Sequence, residues 1–152
     1  MYDVFVTPLA QAAPARPLPG QPATARPALA ELLARPAQAH WTYAMSRVDA
    51  SGRIADKQLV SVLGWKVDDR LITTAEGTSV IILGRDSCGP DSLITKDRVR
   101  LPVSLRTRCG IRIGDRVLLA ASPKLDLLLA YPLSTLERAL GTLHQANAEA
   151  DR

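Results

Sequence analysis

Cysteine, histidine and aromatic residues are all scarce in this chain of 152 residues, and each scarcity closes off a class of function. The two cysteines, Cys88 and Cys109, stand 21 positions apart with no CxxC motif and no histidine beside them. That spacing lays out neither a disulfide framework nor a zinc site, and it fits reduced thiols in a cytoplasmic protein. The two histidines, His40 and His144, lie outside the central part of the chain. No Ser/His/Asp set, carboxylate pair or metal-ligand cluster is visible, so the reading is of a non-enzyme with no cofactor and no metal. Cys109 is no nucleophile either, because its helical position turns it towards the core. No run of 18 apolar residues occurs, and the N-terminus lacks the basic-then-apolar order of a signal peptide. The expectation is a cytoplasmic protein with no membrane partner. Net charge is only +4, so clustering of the bases, not their sum, must decide whether a polyanion is a partner.

What is present divides into parts. Residues 1–45 form a Pro/Ala-rich arm, with seven of the eleven prolines before residue 41, as in "APARPLPGQPATARP". Proline removes backbone donors and fixes φ, and alanine offers little area to bury, so the arm is expected to be disordered. Within it "ALAELLA" (28–34) is long enough for only one or two helical turns. Residues 46–131 read as globular. Residues 132–152 read as a C-terminal helix and tail, with Ser134 and Glu137 spaced as a capping box. Leu133, Leu136, Leu140 and Leu143 then share one helical face, which either the core or another subunit must cover.

The globular part contains a repeat. With Gly64 set on Gly110, an offset of 46, "LGWKVDDRL" (63–71) matches "CGIRIGDRV" (109–117). Leu59 then falls on Leu105, Arg70 on Arg116, and Ser46–Val48 on Ser92–Ile94; matching Arg53 to Arg98 requires one residue fewer in the first copy. Both copies end in paired apolar runs, "LITTAEGTSVIIL" and "VLLAASPKLDLLLA", with Glu76-Gly77 and Pro123-Lys124 as turn residues. Each copy (46–85 and 92–131) reads strand, short helix, glycine stop, strand, turn, strand. The helices should begin near Asp56 and Pro102. Leu105 and Cys109, at i and i+4, should face inward, and Gly110 should take the left-handed conformation. One such unit is too small to bury a core alone, so the two must pair.

The second copy resembles the swapped-hairpin DNA-binding family typified by AbrB, SpoVT and the MazE antitoxins. The pattern "RVxLPxxLRxxxGIxxGDRVLL" is met by Arg98, Val99, Leu101, Pro102, Leu105, Arg106, Gly110, Ile111 and Gly114 through Leu119. A single-chain tandem resembles the arrangement of the MraZ proteins, whose D-x-x-x-R signature matches "DASGR" (49–53) in the first copy. The second copy departs from it, with "TKDRV" at 95–99. The resemblance covers roughly residues 46–131. It implies a mainly β fold with short helices: one swapped-hairpin (AbrB-like) β-barrel built from two tandem β-α-β-β repeats, with helices and preceding loops facing DNA. The C-terminal helix and the N-terminal arm lie outside it.

Charge is unevenly shared between the copies. Residues 46–85 carry six Lys/Arg and five acids, whereas 92–131 carry eight and three. Arg106 and Arg108 in the second helix stand where the first has Val60 and Val62. Clustered bases suit phosphate neutralisation, and the planar fork of arginine suits phosphate oxygens and guanine edges. The expected DNA contacts are Arg98, Arg100, Arg106 and Arg108, with Arg47, Arg53 and Lys57 from the first copy. Arg70 and Arg116, each following an Asp in a turn, are expected to be structural ion-pair partners, and Arg112 to be exposed on a strand. The function expected is a transcriptional regulator binding double-stranded DNA by sequence or shape, working as a homodimer or higher homo-oligomer. The alternative is an antitoxin that binds DNA through the barrel and a toxin through a flanking segment. A third class, a pure assembly module using the leucine stripe, would have no affinity for DNA.

Overall fold

The computed structural model describes residues 40–92 and 97–152. In the first half, β1 (Thr42–Arg47) and β2 (Arg53–Ala55) precede helix α1 (Lys57–Leu63) and the hairpin of β3 (Arg70–Glu76) and β4 (Val80–Arg85). The second half repeats the order with β5 (Asp91–Ser92), β6 (Arg98–Arg100), helix α2 (Val103–Arg108), β7 (Arg116–Ser122) and β8 (Leu127–Pro132). Helix α3 (Leu133–Ala150) follows. The class is mainly β with short helices, and the repeat is realised element by element. "ALAELLA" and the remainder of 1–39 lie outside the described residues, as does the 93–96 end of the strand matched to Ser46–Val48. Strand β1 begins inside the stretch assigned to the arm.

Six strands form one antiparallel sheet in the order β1-β7-β8-β4-β3-β5, and β2 with β6 forms a separate two-stranded ribbon. The edges of the sheet are β1 and β5, so among the described residues no strand pairing closes it into a barrel. The two halves exchange strands. β1 of the first half pairs with β7 of the second, and β5 of the second pairs with β3 of the first. Between them the two hairpins meet through β4 and β8, with Ile82 opposite Leu129. The register refines the repeat. Arg47 opposes Arg116 and Ser92 opposes Arg70, so Ser92 is the counterpart of Arg47, and the first strands match at an offset of 45, not 46. The same offset holds in the ribbon, where Ile54 opposes Val99.

Local chemistry explains the helix limits. Asp56 caps α1, its Oδ1 accepting from the Leu59 N–H at 2.8 Å, and Gly64 ends the helix at φ 67°. Pro102 precedes α2 without a side-chain cap, and Gly110 takes φ 66° just beyond it. Cys109 is buried and Leu105 packs against the core, both facing inward. Burial pushes the Cys109 thiol up, the neighbouring Arg108 opposing it, which suits a core residue and not a nucleophile. One aliphatic core draws on both halves, including Ile54, Leu59, Leu71 and Leu83 with Val99, Leu101, Leu119 and Leu128.

Four expectations need correction. Arg112 is exposed but lies in the turn before β7 and not on a strand. Arg70 makes no ion pair among the described residues: its Nε donates to the Gly89 carbonyl at 2.8 Å. Arg116 is exposed and makes no ion pair among the described residues. The acids beside them are occupied otherwise, since Asp69 and Asp115 accept from the Lys66 and Arg112 N–H groups three residues back, each at 2.8 Å, and so close their own turns. The capping box does not form either. Helix α3 starts at Leu133, directly after Pro132, which places Ser134 inside the first turn instead of before it, with no side-chain cap. That turn is fastened instead by Thr135 Oγ1, which donates to the Ser79 carbonyl at 3.0 Å. No helix among the described residues is long and apolar enough to cross a membrane.

Gly89 shows how tightly the loop before β5 lies on β3. A methyl group at this position would overlap the backbone carbonyl of Leu71. Gly89→Ala is therefore expected to lower stability by about 2–3 kcal/mol, since backbone and not a flexible side chain would have to give way. Urea denaturation checks this; a loss below about 0.5 kcal/mol, the range of neutral surface changes, would contradict it.

Candidate nucleic-acid interface

The β2–β6 ribbon is three residue pairs long: Arg53 opposite Arg100, Ile54 opposite Val99, and Ala55 opposite Arg98. Strand alternation turns Ile54 and Val99 into the core, where both are buried. Arg53, Arg98 and Arg100 are thereby left on the other face, the last two exposed and Arg53 partly so. Like charges directly opposed across strands are unfavourable, by roughly 0.2–1 kcal/mol in the usual range of cross-strand pairs. A second such pair, Arg47 opposite Arg116, joins β1 to β7, and both of its members are exposed.

The turn entering the ribbon is built by Asp49. Its Oδ1 accepts from the Ser51 and Arg53 N–H groups, each at 2.9 Å, and its Oδ2 accepts from Arg53 Nε at 2.9 Å. The Arg53 backbone N–H is the main cause holding the Asp49 carboxyl below its ordinary value. Desolvation opposes it, while the Ser51 N–H and the Arg53 guanidinium add to it. The D-x-x-x-R spacing is thus a turn-closing device, and the Arg53 charge is shared with Asp49.

Gly52, between them, takes φ 73°. A Cβ here would lie 2.7, 2.9 and 3.0 Å from Nη2, Cζ and Nε of Arg106, so the guanidinium plane rests on the glycine. Arg106 is held there by its Nε, which donates to the Leu101 carbonyl at 3.0 Å, while the Leu101 N–H donates to the Gly52 carbonyl at 3.0 Å. Helix α2 of the second half thereby lays an arginine against the turn of the first. Arg53, Arg98, Arg100 and Arg106 form one contiguous basic surface.

The other three expected residues sit apart from it. Arg108 is exposed in the last turn of α2, but two residues from Arg106 it points to another side of the helix. Both arginines also complement the carbonyl end of α2. Arg47 lies at the end of β1, beside the Asp115–Arg116 turn. Lys57 opens α1 and lines a shallow cleft of about 350 Å³ with Val60, Ser61, Trp65, Lys66 and Val67. Of the two valines that replace the arginines in α1, Val60 is buried, whereas Val62 is 39% exposed. Arg116 was not among the expected contacts. Its signal in the sequence was present but assigned to the Asp that precedes it.

Among the described residues, ion pairs with carboxylates engage Arg53 and Arg85 and none of Arg98, Arg100, Arg106, Arg108 or Arg116. The chain matches no protein-family model, no curated protein and no solved structure.

Proposed function

We propose that the chain is a DNA-binding regulator in which the β2–β6 ribbon, the Gly52 turn and Arg106 form a phosphate-binding face. The observation that carries the reading is Arg53 set directly opposite Arg100, with Arg98 on the same face and Arg106 laid on Gly52. A solubilising rim would gain from acids placed opposite the bases, whereas this surface gathers bases at a cost to the fold. A polyanion reverses that cost, and each phosphate contact also releases condensed counterions. A short ribbon with a flanking helix offers no side-chain code for bases, so recognition would rest on DNA shape together with phosphate positioning.

The same reading includes kinship with the swapped-hairpin family in its tandem form. Its support is the exchange of strands between halves, β1 onto β7 and β5 onto β3, around the β4–β8 seam. In this view the sheet and the ribbon are two walls of one small barrel. The antitoxin alternative draws no specific support, since the segment following the sheet is helix α3 and residues 1–39 lie outside the described ones.

The test substitutes each arginine of α2 by the valine found in α1. Arg106→Val is expected to weaken binding to duplex DNA about tenfold and to reduce the slope of log K against log salt by about 0.9, one phosphate contact. Arg108→Val and Lys57→Ala should each have smaller effects, because neither residue belongs to the contiguous surface. Fluorescence anisotropy across a salt series reads both quantities, with circular dichroism to establish that the fold is intact. An Arg106→Val variant that stays folded, binds as tightly as the parent and keeps its salt slope would refute the assignment.

A further inference from the structure

Helix α3 leaves the sheet, and beyond its first turns no described residue covers it. Its first turns face the domain. Thr135 and Arg138 bond to Ser79, while Ser134 and Glu137 line a small cleft against Ile111 and Arg116. From residue 139 to residue 150 every side chain is exposed. Three turns of helix that no described residue covers are marginal in water, and a partner would account for their persistence.

The apolar stripe shows which side the partner takes. At 100° per residue, Leu136, Leu140, Leu143 and Asn147 fall within about 60° of one another on one side of the helix, with Leu136 half-buried beside the domain. Leu140 is 47% exposed and Leu143 54%. From Leu140 onward the stripe is therefore not covered by the sheet. Its spacing is a heptad: Leu140 and Asn147 fall at a, and Leu136, Leu143 and Ala150 at d.

We propose that α3 joins two copies of this chain as a short parallel coiled coil. Asn147 decides both the partner and the orientation. In a parallel, in-register pair each residue meets its own counterpart, so Asn147 meets Asn147, and a carboxamide can both donate to and accept from another. In the antiparallel alternative the a-to-d layering sets Asn147 against Leu136, leaving a buried amide without a partner. The flanking g positions, Ala139 and Ala146, let two helices approach and place no like charge across the seam. The α3 helix has 18 residues, about 27 Å, which gives a contact at the small end of stable interfaces. The dimer is accordingly expected in the micromolar range. The inference stands independently of DNA binding.

Sedimentation velocity of the full chain between about 1 and 100 µM should show a mass rising from 16.4 kDa towards twice that value. Leu140→Asp/Leu143→Asp should stay monomeric throughout with the same β circular dichroism, since both side chains are exposed. Asn147→Leu should tighten association at least tenfold and admit species larger than a dimer, because the polar layer that restricts them is gone. In a Cys88→Ser background, Ala150→Cys should oxidise to a covalent dimer, as the parallel register brings the two d positions together. A parent protein that is monomeric at 100 µM, or an aspartate variant that dimerises like the parent, overturns the proposal. Failure of Ala150→Cys to cross-link, or an Asn147→Leu variant unchanged in affinity and stoichiometry, overturns the parallel register.

Discussion

Replacing Arg98 and Arg100 together by alanine is expected to lower affinity for duplex DNA about a hundredfold at moderate salt without lowering stability. Both side chains stand on the solvent face of the ribbon, and among the described residues neither pairs with a carboxylate. Two lost phosphate contacts at about tenfold each give the hundredfold, and the salt slope should fall by about 1.8. Stability should hold or rise by a few tenths of a kcal/mol, because Arg53 then faces a neutral residue across the strands. The opposite signs distinguish a binding surface from a structural one. If the arginines were part of the scaffold, the denaturation midpoint would drop; if they were only a solvated rim, neither quantity would move. Anisotropy titration and urea denaturation of the same preparation read the two together.

The second large effect concerns the joint core. A fragment of residues 92–152 keeps β6, α2, β7, β8 and α3 but loses every partner those elements have in the first half. β7 loses its six-residue ladder with β1, β8 its four-residue ladder with β4, and β6 its whole pairing with β2. Leu119, Leu128 and Val99, all buried in the intact chain, would be uncovered along with their neighbours in the same core. A half of this size cannot bury enough apolar area to offset its chain entropy. The fragment is expected to be unfolded, or to self-associate so that a second copy supplies the missing strands. Gel filtration with circular dichroism decides; a folded, monodisperse monomer would show that the halves are separate units and would remove the basis for the strand exchange.

How far the sequence carried these conclusions depends on the range of the interactions. The repeat, the glycine stops and the helix start near Asp56 were legible because each is a signal within a few residues, such as a left-handed position that favours glycine. The inward turn of Ile54 and Val99 follows from strand alternation in the same way. The closed barrel was not recovered among the described residues, because closure depends on edges meeting, and no local pattern encodes that. Ion pairing at Arg70 and Arg116 failed for a related reason. Adjacency to Asp69 and Asp115 suggested it, yet each carboxylate was already satisfied by a backbone N–H closer at hand. The contact of Trp65 Nε1 with Asp126 at 2.7 Å, and that of Arg85 with the other oxygen of Asp126 at 2.9 Å, span 61 and 41 residues. Both tie the first half to the turn of the second hairpin, and nothing near any of the three residues announces it. The seat of Arg106 on Gly52 was half legible: the glycine stood out in "DASGR" and the arginine in its helix, but their meeting exists only in the fold.

The central claim is that the ribbon face is built for phosphate, and the salt dependence of the parent protein's binding tests it most directly. Duplex DNA from upstream of the protein's own gene, titrated from about 50 to 200 mM salt, should give a straight line of log K against log salt. Four to six phosphate contacts from the ribbon arginines, Arg106 and their basic neighbours predict a slope between about −3.6 and −5.4. Absence of binding at 50 mM salt, or binding with a slope near zero, would contradict the account.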